Sequence, residues 1–353
     1  MRYSIFLALI VLPVISAAQS VIEVTGDIVD GQSVAIAGHS FGSSNHLGPR
    51  IWDDLESGDF SPAWRSTNHL GLGSESRHSG SETCAAINFQ GSGGDGGYGF
   101  VTAPSAVLAE RWFVQYWFQL DENFDWGTST YGGGDENLAN VKIFRMWNPG
   151  SVDENFVIAL HGFRNSAPYT SEYIDNDGGD YVFRGYMDDW STGSWHCLQF
   201  EYKESSVLAQ DGEIRIWLDG ALQLDDRSIM TREDYSDLKR PYIVGFYDSW
   251  NDSGADRDDV FFDDIYIDDS WSRIEVGNAP IYNECTHREI QIPTSWADDM
   301  ITFDMSTGGL AHTDDLYLFV VDQDGSRSPG FLIRGDGAAD QGPPGPPGRP
   351  IRE

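Results

Sequence analysis

The chain has 353 residues, and its 22 Lys and Arg residues stand against 56 Asp and Glu residues, which gives a formal charge of −34 at pH 7. A surface this negative repels nucleic acid and anionic lipid, so we expect neither as a partner. Aromatic residues make up 13% of the chain and 39 residues are glycine, a combination that favours short strands joined by tight turns.

The first 18 residues have the pattern of a secretory signal peptide. Arg2 supplies the positive start, residues 5–15 form the apolar stretch, and Ser16-Ala17-Ala18 forms the small-residue cleavage region. The apolar stretch is too short to span a bilayer, and no later segment of the sequence reaches the roughly 20 apolar residues that a membrane helix needs. We therefore predict a secreted, extracellular protein with no membrane span.

Export permits disulfide bonds, but the chain has only three cysteines. Cys197 lies in the strand-like segment WHCLQFEY, which predicts a buried thiol. The sequence leaves open whether Cys84 and Cys285 form a bridge.

The two ends of the chain contain strand-like segments that are each too short to bury a core of their own. The first is VIEVTGDIVDGQSVAIAGHSFGS (21–43), and the second, at 288–335, contains the hairpin turn QDGS. The first resembles the opening of an IPT/TIG-type immunoglobulin-like domain, and the second resembles the later half of that family. The matching residues are Gly31, Val34, Ile36, Gly38, Phe41, Gly42, Trp296, Ile301 and Thr302.

This resemblance implies one immunoglobulin-like domain split between residues 19–43 and 286–335, with the rest of the chain inserted in a loop. Insertion in a loop is tolerated because the termini of a compact domain tend to lie close together. The alternative, two separate small β units, would leave each unit with unpaired edges and too little core. Residues 336–353 contain too few Gly-Pro-Pro triplets for a triple helix, so we expect a flexible, collagen-like tail.

Residues 44–285 contain a series of strand-like segments separated by turn residues, among them RWFVQYWFQL, NVKIFRMW and PYIVGFYDSW. Two antiparallel sheets packed face to face are the natural way to bury such strands. The motifs DLESGDFSPAW, WHCLQFEY with DGEIRIWLDG, and FDDIYI resemble the concanavalin A-like lectin/glucanase superfamily, which includes laminin-G-like modules and polysaccharide lyases. The predicted fold is all-β: a concanavalin A-like β-sandwich (jelly roll) plus a small immunoglobulin-like β-sandwich.

Two acidic segments are expected to meet in this sandwich, WDDLESG (52–58) near its start and VFFDDIYIDD (260–269) near its end. In the superfamily that the chain resembles, acidic residues of the first and last strands share a structural calcium, an ion bound by six to eight oxygens. We therefore expect a Ca²⁺ site formed by Glu56 with one of Asp263 or Asp264. Only one of the two aspartates faces such a site, because neighbouring strand residues alternate between faces. The alternative is that these carboxylates are solvated turn and edge residues.

Carbohydrate sites combine flat aromatic rings with planar polar side chains. In RWFVQYWFQL, alternation predicts a core face that begins with Trp112 and a second face that resembles a groove lining. The predicted sugar-binding residues are Trp117 and Gln119 on that second face, together with Trp147 and Trp250.

Lyases of the superfamily use a Tyr or His as base and acid, and an Arg, Gln or Asn to neutralise the uronic carboxylate. Gln115, Arg145, His161 and Tyr247 are of these types, and we expect them to line one concave sheet as catalytic residues. The alginate-lyase motifs R-x-E-L/V-R and Q-I-H and the glucanase motif E-x-D-x-x-E are absent from the sequence. The alternative for His161 is a structural histidine.

The function predicted from the sequence is a secreted carbohydrate-binding protein acting on extracellular polysaccharide, with β-elimination of acidic glycans as its enzymatic form. The alternative is a non-catalytic extracellular surface or matrix protein that mediates adhesion or self-assembly. New unsaturated sugar ends would establish a lyase, whereas calcium-dependent filaments or large oligomers would favour the structural protein.

Overall fold

The computed structural model describes residues 19–42, 47–65, 70–78, 81–88, 98–124, 128–129, 140–147, 155–163, 166–176, 180–187, 190–232, 238–248, 250–251 and 259–335. Among the predicted site residues, His161, Tyr247 and Trp250 are described by their backbone alone. The predicted signal peptide and collagen-like tail lie outside the described residues.

The centre of the chain forms two large antiparallel sheets. The eight-stranded sheet has the order β15-β14-β13-β7-β18-β5-β4, with β3 also paired to β18. Its strands are β3 (Ile51–Asp53), β4 (Leu70–Gly73), β5 (Cys84–Asn88), β7 (Arg111–Leu120), β13 (His196–Lys203), β14 (Gly212–Leu218), β15 (Ala221–Ile229) and β18 (Asp259–Asp268).

The six-stranded sheet has the order β12-β11-β10-β9-β16-β6. Its strands are β6 (Tyr98–Thr102), β9 (Asn140–Trp147), β10 (Asn155–Phe163), β11 (Ser166–Asn176), β12 (Asp180–Met187) and β16 (Arg240–Asp248). Two short strands, β8 (Thr128–Ser129) and β17 (Trp250–Asn251), pair with each other.

The core between these two sheets follows from alternation along the strands. Trp112 and Tyr116 of β7 are fully buried members of this core, as the two-residue period of the sequence predicts. Phe144 of β9 and Phe156 of β10 pack on Phe200 of β13, with ring centroids 4.5 Å and 5.4 Å apart. The prediction of an all-β jelly-roll sandwich is confirmed.

Strands from both ends of the chain share a third, seven-stranded sheet with the order β1-β2-β21-β20-β19-β22-β23. Its strands are β1 (Ser20–Thr25), β2 (Ser33–His39), β19 (Arg273–Gly277), β20 (Arg288–Trp296), β21 (Met300–Asp304), β22 (Leu316–Val321) and β23 (Phe331–Arg334). The ends meet where Val34 and Ile36 pair with Phe303 and Ile301.

The alternative of two separate β units is therefore wrong. Strand β19, which the predicted boundary at residue 286 left in the central sandwich, belongs to the seven-stranded sheet. The assignment of this sheet to an IPT/TIG immunoglobulin-like domain stays a prediction.

The seven-stranded sheet packs on the outer face of the eight-stranded sheet, the face turned away from the six-stranded sheet. Phe113 and Tyr266 of the eight-stranded sheet share an apolar cluster with Trp271 and Ile290. Beside this cluster, the buried Arg273 bonds to Glu201 across the interface at 2.7 Å and also pairs with its neighbour Glu275. A buried ion pair loses its hydration, so such a network is stable only when each charged group has hydrogen-bond and ion-pair partners within the protein. The two units are thus joined by both apolar and charged contacts.

All three cysteines are buried free thiols, so Cys84 and Cys285 form no bridge in this structure. Burial raises the pKa of the Cys84 thiol to about 12. Within the described residues, no helix is long and apolar enough to cross a membrane.

Candidate functional site

The outer face of the six-stranded sheet, which turns away from the eight-stranded sheet, carries a row of aromatic and cationic side chains. On β9, Phe144 and Met146 point into the core, whereas Arg145 and Trp147 lie outside the core cluster and are half-buried. On the adjacent strand β16, Tyr242 lies directly opposite Arg145. Alternation therefore places these groups on one face of the sheet, where Arg145 and Trp147 are half-buried and Tyr242 is only 6% exposed.

The side chains of this row contact one another in sequence. The Arg145 guanidinium lies 4.4 Å from the Trp147 ring centroid, and the Trp147 and Tyr242 rings are 5.5 Å apart. Phe100 on β6 extends the row, 5.5 Å from Tyr242, and the Arg240 guanidinium lies 6.0 Å from the Tyr242 ring. We call these five residues the aromatic–cation row.

A further cation and two of the predicted catalytic residues lie on the same sheet. Lys142, which is half-buried, lies outside the core cluster on β9. The backbone of Tyr247 lies opposite Val141, and that of His161 lies opposite Asn140. These positions are four or five residues along β9 from Arg145, roughly 13–17 Å at the rise of a β-strand.

Gln115 is separated from this face, which corrects the prediction of one catalytic quartet. Gln115 lies on β7 of the eight-stranded sheet, is 0% exposed, and faces the seven-stranded sheet. Its Oε1 accepts a hydrogen bond of 2.8 Å from Nε2 of Gln199, which also donates to Glu275 at 3.2 Å. Alternation predicted the face correctly, but the ends of the chain cover that face.

The predicted sugar-binding residues are divided in the same way. Trp117 is only 7% exposed and is covered by Arg77, 4.6 Å from its ring, and by His287 at 5.1 Å. It therefore presents no open platform, and the prediction of a sugar contact at Trp117 is corrected. Gln119 lies further along β7 and is half-buried.

Of the other two predicted sugar-binding residues, Trp147 belongs to the aromatic–cation row. Trp250 lies on β17, where its backbone pairs with Ser129.

The predicted acidic pair of segments does meet, at a cleft of about 200 Å³ between the eight-stranded and seven-stranded sheets. Strand β3 pairs with β18, with Asp53 opposite Ile265, and this pairing brings Glu56 and Asp264 to the same cleft. The lining residues are Trp52, Asp54, Glu56, Arg77, His78, Ser81, Gln115, Asp264, Glu289, Ile290 and Ser306.

Asp263 and Asp264 have different partners, because β18 contains a bulge here and Asp264 has a positive φ of 46°. Asp263 accepts hydrogen bonds from the Ser81 hydroxyl at 2.9 Å and from its neighbour's N–H at 2.8 Å. Burial, then the charge of Asp264, raise the pKa of Asp263 to about 8. Burial also raises the pKa of Asp264, against the opposing effect of Arg77.

Arg77 supplies the positive charge that the sequence led us to expect from calcium. Its guanidinium pairs with Asp264 and, at 3.0 Å, with Glu289 of β20. Burial lowers the pKa of Arg77, but the two carboxylates outweigh that effect and raise it above its ordinary value. Burial likewise raises the pKa of Glu289, yet Arg77 and a hydrogen bond to His287 lower it to about 2.

The residues at the cleft do not form a calcium cage. Both oxygens of Asp263 accept protein hydrogen bonds, Asp264 pairs with Arg77, and Oε1 of Glu56 accepts the N–H groups of residues 82 and 83 at 2.8 and 3.1 Å. The part of the chain that the structure describes contains no group of three or more His, Cys, Asp or Glu side chains arranged to hold a metal. Calcium binding stays a prediction, and we derive no step through it.

Sequence reasoning missed Arg77, Tyr242 and Arg240. The segment RPYIVGFYD has the alternation of a strand, so its register could have indicated that Tyr242 shares a face with Arg145. Arg77 lies in the loop GSESRHSG, where neither periodicity nor a motif marks it.

No family model and no curated protein matches this chain. Among solved structures, an endo-β-1,4-glucuronan lyase from Trichoderma reesei is similar, with a TM-score of 0.45 and 18% identity over 64% of this chain and 95% of that one. An alginate lyase from Aplysia kurodai gives a TM-score of 0.41 and 15% identity over 68% of this chain and 98% of that one. Domain 4 of an arabinanase from Geobacillus stearothermophilus, in complex with arabinotriose, gives a TM-score of 0.33 and 12% identity over 71% of this chain and 93% of that one. Similarity at this level assigns the chain to no family.

Proposed function

We propose that the chain is an extracellular protein that binds acidic polysaccharide along the outer face of the six-stranded sheet. The observation that supports this most directly is the stacking of Arg145 on Trp147, 4.4 Å from the ring, beside Tyr242. Flat aromatic surfaces accept the apolar faces of sugar rings, and a guanidinium pairs with a carboxylate through two parallel hydrogen bonds. Trp147 and Phe100 are half-buried and offer part of their rings to a sugar, and Arg145 offers a partner to its carboxylate. Tyr242 is only 6% exposed and packs against Trp147 as a support.

The charge distribution favours an anionic ligand at this face in particular. The chain carries a formal charge of −34, yet Lys142, Arg145 and Arg240 lie along two adjacent strands of this one sheet. Cations gathered on one face of an acidic protein give a local potential opposite to that of the rest of the surface. A polyuronate would be repelled elsewhere and attracted here.

The chemistry that such a face would support is β-elimination from a 4-linked uronate. A base removes the C5 proton, the electron pair forms a C4=C5 double bond, the C4–O4 bond breaks, and the departing oxygen takes a proton. A cation paired with the carboxylate would stabilise the negative charge that develops next to it as the proton leaves. Lys142 lies one or two residues along β9 from the positions opposite Tyr247 and His161, so Lys142 would hold the reacting uronate and Arg145 another uronate of the same polymer. We propose His161 and Tyr247, on the strands either side of β9, as base and acid.

Incubation of the chain with glucuronan, alginate, pectin and heparin tests the proposal. We expect retention on a gel of at least one of these polymers, and ultraviolet absorbance from the C4=C5 bond of its fragments. Arg145→Ala should weaken retention by about 10- to 100-fold and lower the absorbance because less polymer is bound. Arg227→Ala, on the exposed edge strand β15, should change neither.

The results of this experiment distinguish polysaccharide binding from lyase activity. Retention that depends on Arg145 without new unsaturated ends would leave a binding protein and exclude the lyase. A chain that binds none of the four polymers, or binds one equally well after Arg145→Ala, would refute the acidic-glycan face itself.

A further inference from the structure

The cleft between the eight-stranded and seven-stranded sheets contains a buried donor that its surroundings leave unused. Gln115 is 0% exposed and lines the cleft, and its Nε2 has no hydrogen-bond partner within the described residues. A buried amide N–H without a partner costs about 1–3 kcal/mol, so a group that occupies the cleft and accepts this hydrogen bond recovers free energy.

The orientation of this amide is fixed by its neighbours. Arg288, which can only donate, bonds to Oε1 of Gln199, so Nε2 of Gln199 must donate to Oε1 of Gln115. The remaining atom of Gln115 is therefore the nitrogen, so a residue that lines the cleft carries an unpaired N–H donor. A bare metal cation has nothing to offer that donor.

The rest of the cleft adds acceptors and one flat ring. Glu56 is held at the cleft by two backbone N–H groups, and Asp54, in the same turn, accepts the N–H of Glu56 at 3.2 Å. Trp52, which also lines the cleft, is 37% exposed. Carboxylates accept from hydroxyl groups, and a partly exposed indole offers an apolar face.

The size and charge of the cleft narrow the ligand further. A volume of about 200 Å³ is below the ~300–1,000 Å³ of pockets for drug-sized molecules, which leaves room for one small ring. Asp54, Glu56, Asp264 and Glu289 outnumber the single arginine, Arg77, so an anion would be repelled. The ligand must donate several hydrogen bonds, accept at least one and carry no negative charge.

We propose that this cleft binds one ring of a neutral sugar, at a site distinct from the acidic-glycan face on the other side of the sandwich. Hydroxyl groups both donate and accept, which matches the carboxylates and the Gln115 amide together, and the apolar side of the ring matches Trp52. The proposal does not depend on the outer face of the six-stranded sheet.

Titration of the full chain with the methyl glycosides of glucose, galactose, mannose, xylose and arabinose tests this inference, with saturation-transfer NMR to detect binding. We expect saturable binding of at least one glycoside. Trp52→Ala, a partly exposed position, should weaken that binding about tenfold, since loss of an aromatic contact costs up to ~1.5 kcal/mol. Gln115→Glu keeps the acceptor for Gln199 but replaces the free N–H with an oxygen, and should weaken binding as well.

The matched control is Arg145→Ala, which alters the other face and should bind the glycoside as tightly as the wild type. Circular dichroism checks that each variant is folded, and Trp52→Ala alone decides the test if Gln115→Glu does not fold. The inference is overturned if none of the five glycosides binds, or if Trp52→Ala binds as the wild type does. It is also overturned if a chelator abolishes sugar binding, or if Ca²⁺ alone fills the cleft in a way that Glu56→Gln prevents.

Discussion

Arg273 is the residue whose removal should weaken the junction between the two units most clearly. It is 1% exposed, and its guanidinium bonds to Glu201 at 2.7 Å, to the Trp271 carbonyl at 2.9 Å and to the Tyr282 hydroxyl at 3.1 Å, besides its pairing with Glu275. It also lies 3.8 Å from the centre of the Phe113 ring. We therefore consider Arg273→Met, which keeps an unbranched apolar chain beside that ring and removes the charge.

The size of the effect follows from what the two carboxylates retain. Removing one partner of a buried ion pair costs ~3–5 kcal/mol, because the other charge is left in a dry environment. Here Glu201 keeps Arg327 at 2.9 Å, and Glu275 keeps Arg288 at 3.0 Å. Neither carboxylate is left without a cation, so we expect the lower end of this range, a loss of ~3 kcal/mol in the free energy of unfolding.

Arg227→Met is the control, since it breaks an ion pair of similar length, 2.8 Å to Asp225, at a side chain that is 61% exposed. Exposed pairs contribute ~0–1 kcal/mol, so this variant should lie within ~1 kcal/mol of the wild type. Urea unfolding followed by tryptophan fluorescence gives both values from the midpoints and slopes. The reasoning is refuted if Arg273→Met and Arg227→Met lose the same stability.

Three further outcomes follow from the structure. The pKa of Asp263 is about 8 in the folded chain against roughly 3.9 in the unfolded chain, so the unfolded state binds fewer protons between these values and stability falls as pH rises from ~4 to ~8. Asp263→Asn should therefore flatten the dependence of the urea midpoint on pH. An unchanged dependence would contradict the raised pKa of Asp263. Gly220 has a φ of +78°, and a Cβ there would lie 2.0 Å from the Cys285 carbonyl oxygen, so Gly220→Ala should lower the free energy of unfolding by ~1–3 kcal/mol in the same assay. An unchanged free energy of unfolding would mean that the turn at Gly220 does not contact the segment around Cys285. The three thiols are buried and unpaired, so a thiol reagent should modify none in the native chain and three after unfolding; fewer than three would reveal a disulfide.

Alternation along single strands could be predicted from the sequence because it depends on neighbouring residues alone. RWFVQYWFQL indicated that Trp112 and Tyr116 face the core, and both are fully buried there. The same period separated Gln115 and Trp117 onto the other face but could not show what covers that face. The covering sheet comes from the two ends of the chain, so a polar face that resembles a groove lining proved to be an interface.

The sequence predicted that the two acidic segments meet, because they lie in the first and last strands of the central sandwich. It did not predict the cation that pairs with their carboxylates. Strands β3 and β18 pair, and Glu56 and Asp264 line one cleft. The positive charge between the carboxylates comes from Arg77, a loop residue whose position depends on contacts with β7, β18 and β20. No local pattern in the sequence encodes such a three-way contact.

Isothermal titration of the chain with uronate oligosaccharides and with their carboxyl-reduced counterparts tests most directly whether the aromatic–cation row binds acidic glycan. A hydrogen-bonded pair with a charged group is worth ~1.5–3 kcal/mol, so we expect carboxyl reduction, or Arg145→Ala, to weaken binding by about 10- to 100-fold. Combining the two changes should add little, because both remove the same contact. Equal affinity for the acidic and reduced sugars, or a full second loss in the combination, would contradict the account.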